Sequence, residues 1–249
     1  MIGGLFLAAV FLLTGQKASF LQNRRQLWYL TVSGVTLGAS WMFLYEAYQQ
    51  VGVSIASLAY YCGPVIVMAL SPILFHEKLS WVKSAGFLTV LLGIFFVNTQ
   101  ALHEGKNGWG LFCGAMSAVM YAVMVIANKK VGGVTGLENA MLQLVFGFLT
   151  VAVFLGAKQG LTLHMAGGDW LPVLTLGLLN TGIGCYLYFS SIGDLPVQSV
   201  AICGYLEPLS AVVFSAVFLR EALRPIQIVG VALILGGAAF GECAFSRRN

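Results

Sequence analysis

Residues 51–75 read VGVSIASLAYYCGPVIVMALSPILF, and residues 195–219 read LPVQSVAICGYLEPLSAVVFSAVFL. Neither stretch contains Lys, Arg or Asp, and Glu207 is the one acidic residue in the pair. About 20 apolar residues in a helix cross the hydrocarbon core of a bilayer, so each stretch is long enough to span it. Backbone in lipid must satisfy its own hydrogen bonds, which makes such runs helices. The two stretches also align without a gap at a shift of 144 residues, matching Val53 to Val197, Tyr61 to Tyr205, Pro64 to Pro208 and Ser71 to Ser215. Each then runs into a short polar edge carrying a glutamate, Glu77 in the first and Glu221 in the second.

The match extends outward over 38–95 and 182–239 and adds Gly38/Gly182, Leu79/Leu223, Gly86/Gly230, Leu91/Leu235 and Gly93/Gly237. Apolar helices agree by chance, but prolines, glutamates and glycines at fixed distances from span ends do so less easily. A repeat of this kind is the first pattern to seek in a long apolar chain. Composition points the same way. The 249 residues are 59% hydrophobic and 9% charged, with a mean hydropathy of +0.88, whereas soluble domains carry about 25% charged residues. These values exclude a soluble globular enzyme, a disordered chain and a nucleic-acid binder with a basic face.

Nine apolar runs stand between the polar punctuation: 1–13, 27–48, 51–75, 84–102, 108–127, 139–157, 170–192, 195–219 and 225–241. They predict an all-α polytopic membrane protein of nine transmembrane helices. The second repeat, 107–249, holds five runs and the first, 1–102, holds four. An odd number of spans per copy inverts the orientation, so the expected architecture is an inverted 5+5 repeat with its first helix missing. Inverted repeats around a midplane site recur in secondary transporters. The first run is short for a span and has neither the basic start nor the cleavage site of a signal peptide; it reads as the remainder of a helix. Lys17, Arg24, Arg25, Lys78, Lys83, Lys129, Lys130, Arg247 and Arg248 fall in alternate loops and the tail, against Lys106, Lys158, Arg220 and Arg224 on the other side. The positive-inside rule then puts the C-terminus in the cytoplasm of a multi-pass protein of the cell membrane.

Tyr205-Leu206-Glu207-Pro208, Leu219-Arg220-Glu221-Ala222-Leu223, Gly230 and Gly236-Gly237 resemble the second-repeat signature of EamA-type transporters, in the drug/metabolite transporter superfamily. Cys62-Gly63-Pro64, Phe75-His76-Glu77-Lys78-Leu79 and Gly86 are similar to the first repeat of that family. The resemblance covers nearly the whole chain. It implies a ten-helix fold with both ends cytoplasmic and the export of amino acids or other small metabolites.

Among individual residues, Glu207 is the sharpest candidate. It lies at the centre of 195–219, where an acidic group costs roughly 2.5–3.5 kcal/mol on insertion scales. Its repeat counterpart is Gly63, so the scaffold itself does not demand a carboxylate. A cavity-facing group that binds a substrate amine or carries a proton is the functional reading; a carboxyl holding helices together is the structural one. Glu46 is the other acid inside a span, near the outer end of 27–48, where a side chain reaches water by snorkelling. Tyr61 and Tyr205, just before the prolines, are placed near a cavity, with Asn180 as a hydrogen-bonding partner in the middle of 170–192. Pro64 and Pro208 each remove a backbone donor and break their helix. Glu77 and Glu221 read as local pairing or helix-start groups. Gly34-x-x-x-Gly38 and Gly110-x-x-x-Gly114 predict close helix approach.

No catalytic residue, metal site or cofactor is assigned. The five cysteines show no paired spacing and the three histidines sit at span edges, and there is no phosphate-binding loop. The expected function is a secondary transporter, an exporter of a small polar metabolite such as an amino acid, working by alternating access. Its partners are that small-molecule substrate and the lipid bilayer, not nucleic acid. Two alternatives stay open: a transport-inactive membrane sensor or assembly protein and, less favoured, an intramembrane enzyme, for which Glu207 lacks an acidic or histidine partner.

Overall fold

The computed structural model describes residues 1–15, 19, 23–77, 81–97, 108–158, 168, 170–204, 206–207, 210 and 225–246, and regular structure among them is helical. In chain order the helices are α1 (Ile2–Leu13), α2 (Arg24–Tyr60), α3 (Cys62–Phe75), α4 (Trp81–Val97), α5 (Gly108–Lys129), α6 (Gly136–Lys158), α7 (Trp170–Ser191), α8 (Val197–Cys203) and α9 (Pro225–Ser246). Five stretches among the described residues are long and apolar enough to cross a membrane: Arg24–Val53, Ile55–Phe75, Gly108–Lys129, Gly136–Ala157 and Trp170–Ser191. Shorter apolar helices cover Ile2–Leu13, Ser84–Phe96 and Ile228–Gly237. The chain is an all-α polytopic membrane protein. The run 195–219 lies largely outside the described residues.

Between the runs 27–48 and 51–75 the sequence predicts a loop. The chain instead stays helical through a single break at Gly52, whose φ of 79° and ψ of 164° are open to glycine and costly for other residues. The interruption comes nine residues later, at Tyr61, so that Pro64 falls in the first turn of α3, where a missing N–H leaves no internal bond unmade. In the second half Pro196 caps α8, which ends at Gly204. Positions 52 and 196 are 144 apart, the shift of the sequence match. A different departure marks α7: Leu176–Gly184 winds as wide π-helical turns between α-helical ends. Such turns leave the regular hydrogen-bond ladder and are frequent at functional sites.

The chain forms two compact units, each drawing on both sequence halves. One comprises Met1–Met42 and Met120–Leu195. In it α1 lies against α6 and against the π-helical part of α7, with Leu7, Phe11, Leu30, Leu37 and Leu144 buried. A methyl added at Gly3 would stand 2.8 Å from the Gly177 carbonyl oxygen and 2.9 Å from the Gly182 nitrogen. One added at Gly38 would stand 2.7 Å from the Gly147 oxygen. Only glycine permits such backbone contacts, the device by which helices in lipid gain packing energy.

The second unit comprises Phe43–Val119 and Pro196–Asn249. Here α4 packs along α9 and α3 along α8, while Ala47, Val51, Ala56 and Cys113 form a buried cluster. Gly110 and Gly114 abut Val51 and Ala59, the close approach expected of their spacing. At the α4–α9 crossing, a methyl at Gly93 would lie 2.6 Å from the Gly230 oxygen, and one at Gly237 2.6 Å from the Gly86 oxygen. These two contacts exchange when 144 is added to or subtracted from each number. The crossings Gly38/Gly147 and Gly182/Gly3 of the first unit exchange in the same way.

Candidate functional site

Three side chains of the second unit lie near its helix breaks. Tyr61 occupies the interruption between α2 and α3. Glu207 is helical just beyond the end of α8; its N–H donates to the Gly204 carbonyl at 3.4 Å and its own carbonyl accepts the Ser210 hydroxyl at 2.8 Å. Tyr48 stands one turn before the Gly52 break. The Glu207 carboxylate and the Tyr48 phenol both lie close enough to the Tyr61 hydroxyl to act on it electrostatically. Tyr60 adds a second ring, its centroid 6.0 Å from that of Tyr61. Glu207 is exposed, Tyr61 is half-buried and Pro64 is buried. One carboxylate beside phenolic hydroxyls can bind an ammonium group, hydrogen-bond a polar cargo or hold a proton.

The remaining candidates are elsewhere. Glu46 accepts hydrogen bonds from Gln50 Nε2 at 3.2 Å and from Trp109 Nε1 at 3.3 Å, a cluster at the other end of its helical segment from the basic start of α2. Asn180 belongs to the first unit, in the π-helical stretch of α7, and is exposed. Glu77 does more than pair locally. The left-handed residue His76 (φ 55°) ends α3, and the Glu77 carboxylate accepts the N–H groups of Val197 at 2.9 Å and Gln198 at 3.3 Å, at the start of α8. It serves a helix 120 residues away in sequence. Tyr205, Pro208 and Glu221 lie outside the described residues.

A second polar layer, in the first unit, escaped sequence reasoning. Asn128 and Asn139 exchange amide hydrogen bonds at 3.0 and 3.1 Å. Asn139 also donates to the Phe189 carbonyl at 3.3 Å and accepts from Gln143 at 3.4 Å. The Tyr121 and Tyr188 hydroxyls stand 3.2 Å apart. Glu138 is fully buried and accepts the N–H of Ser19 at 2.7 Å and its hydroxyl. Thr135 and Glu138 have the spacing of a capping box, and the Thr135 hydroxyl accepts the Glu138 N–H at 3.3 Å. The signal was available: Asn139 and Gln143, four apart, share a helix face at the start of a span.

A helical bundle with apolar spans, interrupted helices and polar groups at the interruptions is built as membrane transporters are built. The model of the EamA-like transporter family matches residues 1–99 and 108–240, and the chain belongs to that family. Among its relatives is "Uncharacterized transporter YxxF" of Bacillus subtilis (strain 168), 26% identical over 240 residues, 94% of this chain and 76% of that protein. The threonine/homoserine exporter RhtA of Escherichia coli (strain K12) is 25% identical over 225 residues, 87% of this chain and 71% of that protein. A protein of solved crystal structure shares the fold with a TM-score of 0.82 at 23% identity, covering 96% of this chain and 84% of the other. The chain is an integral membrane protein and a transporter of the family, and the names of family and relatives point away from enzymatic catalysis.

Proposed function

We propose that the chain exports a small polar metabolite, such as an amino acid, across the cell membrane, with its C-terminus in the cytoplasm. The observation that carries this reading is a carboxylate, Glu207, within electrostatic reach of the Tyr61 hydroxyl at the interruption between α2 and α3. A zwitterionic cargo would place its ammonium group on Glu207 and direct its polar oxygens to the phenols. The spans contain no central Lys or Arg, so a strongly anionic cargo would lack a partner. RhtA is named a threonine/homoserine exporter, and an amino acid carries the groups this cluster is suited to hold.

Residues 1–102 and 107–249 act as two oppositely oriented repeats in alternating access. Glycine contacts that exchange under the 144-residue shift, Gly93/Gly230 with Gly237/Gly86 and Gly38/Gly147 with Gly182/Gly3, support that division. Driving energy comes from a proton gradient or from the gradient of the cargo. The test is flux in proteoliposomes loaded with a mixture of amino acids under an imposed pH gradient. Selective flux that Glu207→Gln lowers supports the reading. A folded chain that moves none of them overturns the amino-acid assignment.

A further inference from the structure

The amides of the first unit form a chain whose direction is set from one end. Asn139 Nδ2 donates to the Phe189 carbonyl at 3.3 Å, and a backbone carbonyl can only accept. That contact fixes the Asn139 amide, so its Oδ1 is an acceptor. Asn128 Nδ2 at 3.0 Å and Gln143 Nε2 at 3.4 Å both donate to it, which uses its two lone pairs. Gln143 is thereby oriented as well: Nε2 is turned to Asn139, and Oε1 is left as an acceptor facing elsewhere. Reversing the Gln143 amide would set two oxygens against each other.

Gln143 is fully buried, and among the described residues its Oε1 receives no hydrogen bond. Ser190 Oγ is a second buried atom in that condition. Both belong to one seam of the first unit, where α6 lies along the end of α7. Gly136 abuts Ser190 and Asn139 reaches Phe189, so the two helices run in opposite directions there. One turn further along α6, Gln143 stands level with the neighbourhood of Cys185, by the rise of roughly 1.5 Å per residue. That is where the π-helical turns of α7 give way to α-helix.

Whatever meets Oε1 must donate a hydrogen bond and carry no charge. The polar groups of the seam are amides, a backbone carbonyl and a hydroxyl, while the Glu138 carboxylate is engaged by Ser19. An ammonium or metal ion would enter a membrane-embedded unit without a counter-charge, and Asn139 Oδ1 has no lone pair left to help hold it. Water is a neutral donor small enough for a fully buried site, and buried waters make about three hydrogen bonds to polar groups otherwise unmatched.

We propose that the first unit holds an ordered water in the α6–α7 seam, donating one O–H to Gln143 Oε1 and the other to a backbone carbonyl of α7 where its π turns end. The water completes the amide chain and joins α6 to α7 at that level. The site is independent of the role given to Glu207 and of the cargo.

Two measurements on the full chain test this. The first is a crystal structure from a lipidic mesophase, at a resolution that shows waters: a water within hydrogen-bonding distance of Gln143 Oε1 is expected. An ordered Gln143 with no water there, or with a larger molecule in its place, overturns the proposal. The second is X-ray radiolytic labelling in lipid nanodiscs, in which hydroxyl radicals formed from bound water modify the side chains beside it. Labelling is expected at Cys185 and at buried Phe189 and not at Phe11, which is buried in the same unit away from the seam. Gln143→Leu removes the acceptor and is expected to abolish the label at Cys185 and Phe189. Gln143→Glu, with its carboxyl protonated, keeps an acceptor oxygen and a donor to Asn139 and is expected to retain it. Labelling that a folded Gln143→Leu leaves unchanged, or that is absent from the parent, overturns the proposal. Should Gln143→Leu fail to fold, the crystal structure of the parent decides.

Discussion

A carboxylate in an apolar span is costly to keep charged, and Glu207 lies within electrostatic reach of the Tyr61 phenol. If it couples transport to protons, Glu207→Gln keeps the fold and removes the dependence of flux on a pH gradient; gradient-dependent flux in that variant would eliminate Glu207 as the carrier. Asn139 makes a different kind of demand. It bonds to Asn128 twice, to Phe189 and to Gln143, whereas the Asn128 amide bonds to Asn139. Removing a buried partner leaves groups unsatisfied at about 1–3 kcal/mol. Asn139→Leu is therefore expected to lower the thermal midpoint in detergent more than Asn128→Leu; equal effects would mean the amide pair is the whole of the interaction. At this scale the sequence disclosed single residues out of place in lipid, such as Glu207, because hydropathy is a property of each residue. It did not disclose that Tyr48 lies within electrostatic reach of Tyr61, because the two are separated by the Gly52 break.

Helices were legible where length and apolarity coincide. The runs 108–127, 139–157 and 170–192 became Gly108–Lys129, Gly136–Lys158 and Trp170–Ser191. Their interruptions were less so. Proline marks a break, yet α3 begins before Pro64 and the chain bends at Gly52, since glycine alone takes the positive φ without strain. The π-helical turns of α7 have no composition signature, and they place Asn180 on an exposed face. Glycine packing gives the test for this level. Gly93→Val and Gly237→Val each drive a side chain into a facing carbonyl and are expected to cost about 1–3 kcal/mol apiece, the usual range for overpacking. Gly236 has no neighbour within 4 Å of an added methyl, so Gly236→Val is the control. Thermal unfolding of the three checks this; loss at Gly236 equal to that at Gly237 would show helix propensity, not crossing geometry, to be the cause.

Across the molecule, the positive-inside reading of the lysines and arginines would put 14–26, 76–83, 128–138 and the C-terminal tail on one side of the membrane. In right-side-out vesicles of a cysteine-free chain, Lys158→Cys is expected to react with a membrane-impermeant thiol reagent and Lys130→Cys only after permeabilisation. The reverse pattern would invert the orientation. The two compact units follow no cut of the sequence into halves: each takes residues from both, because a helix in lipid packs with whichever face offers glycines and polar partners at the right height.

The sequence by itself determined the membrane class, the number and approximate limits of the apolar runs, and the 144-residue self-match. All three follow from local composition or from chain-to-chain comparison, and the bilayer converts them directly into helix length. Only the tertiary structure decided which polar groups meet. Glu77 caps a helix 120 residues away, Asn139 reaches Phe189 across 50 residues, and Glu138 closes on Ser19 over 119. Such pairs are chosen by helix crossings, and a crossing depends on the shapes of two faces at once, which neither segment carries alone.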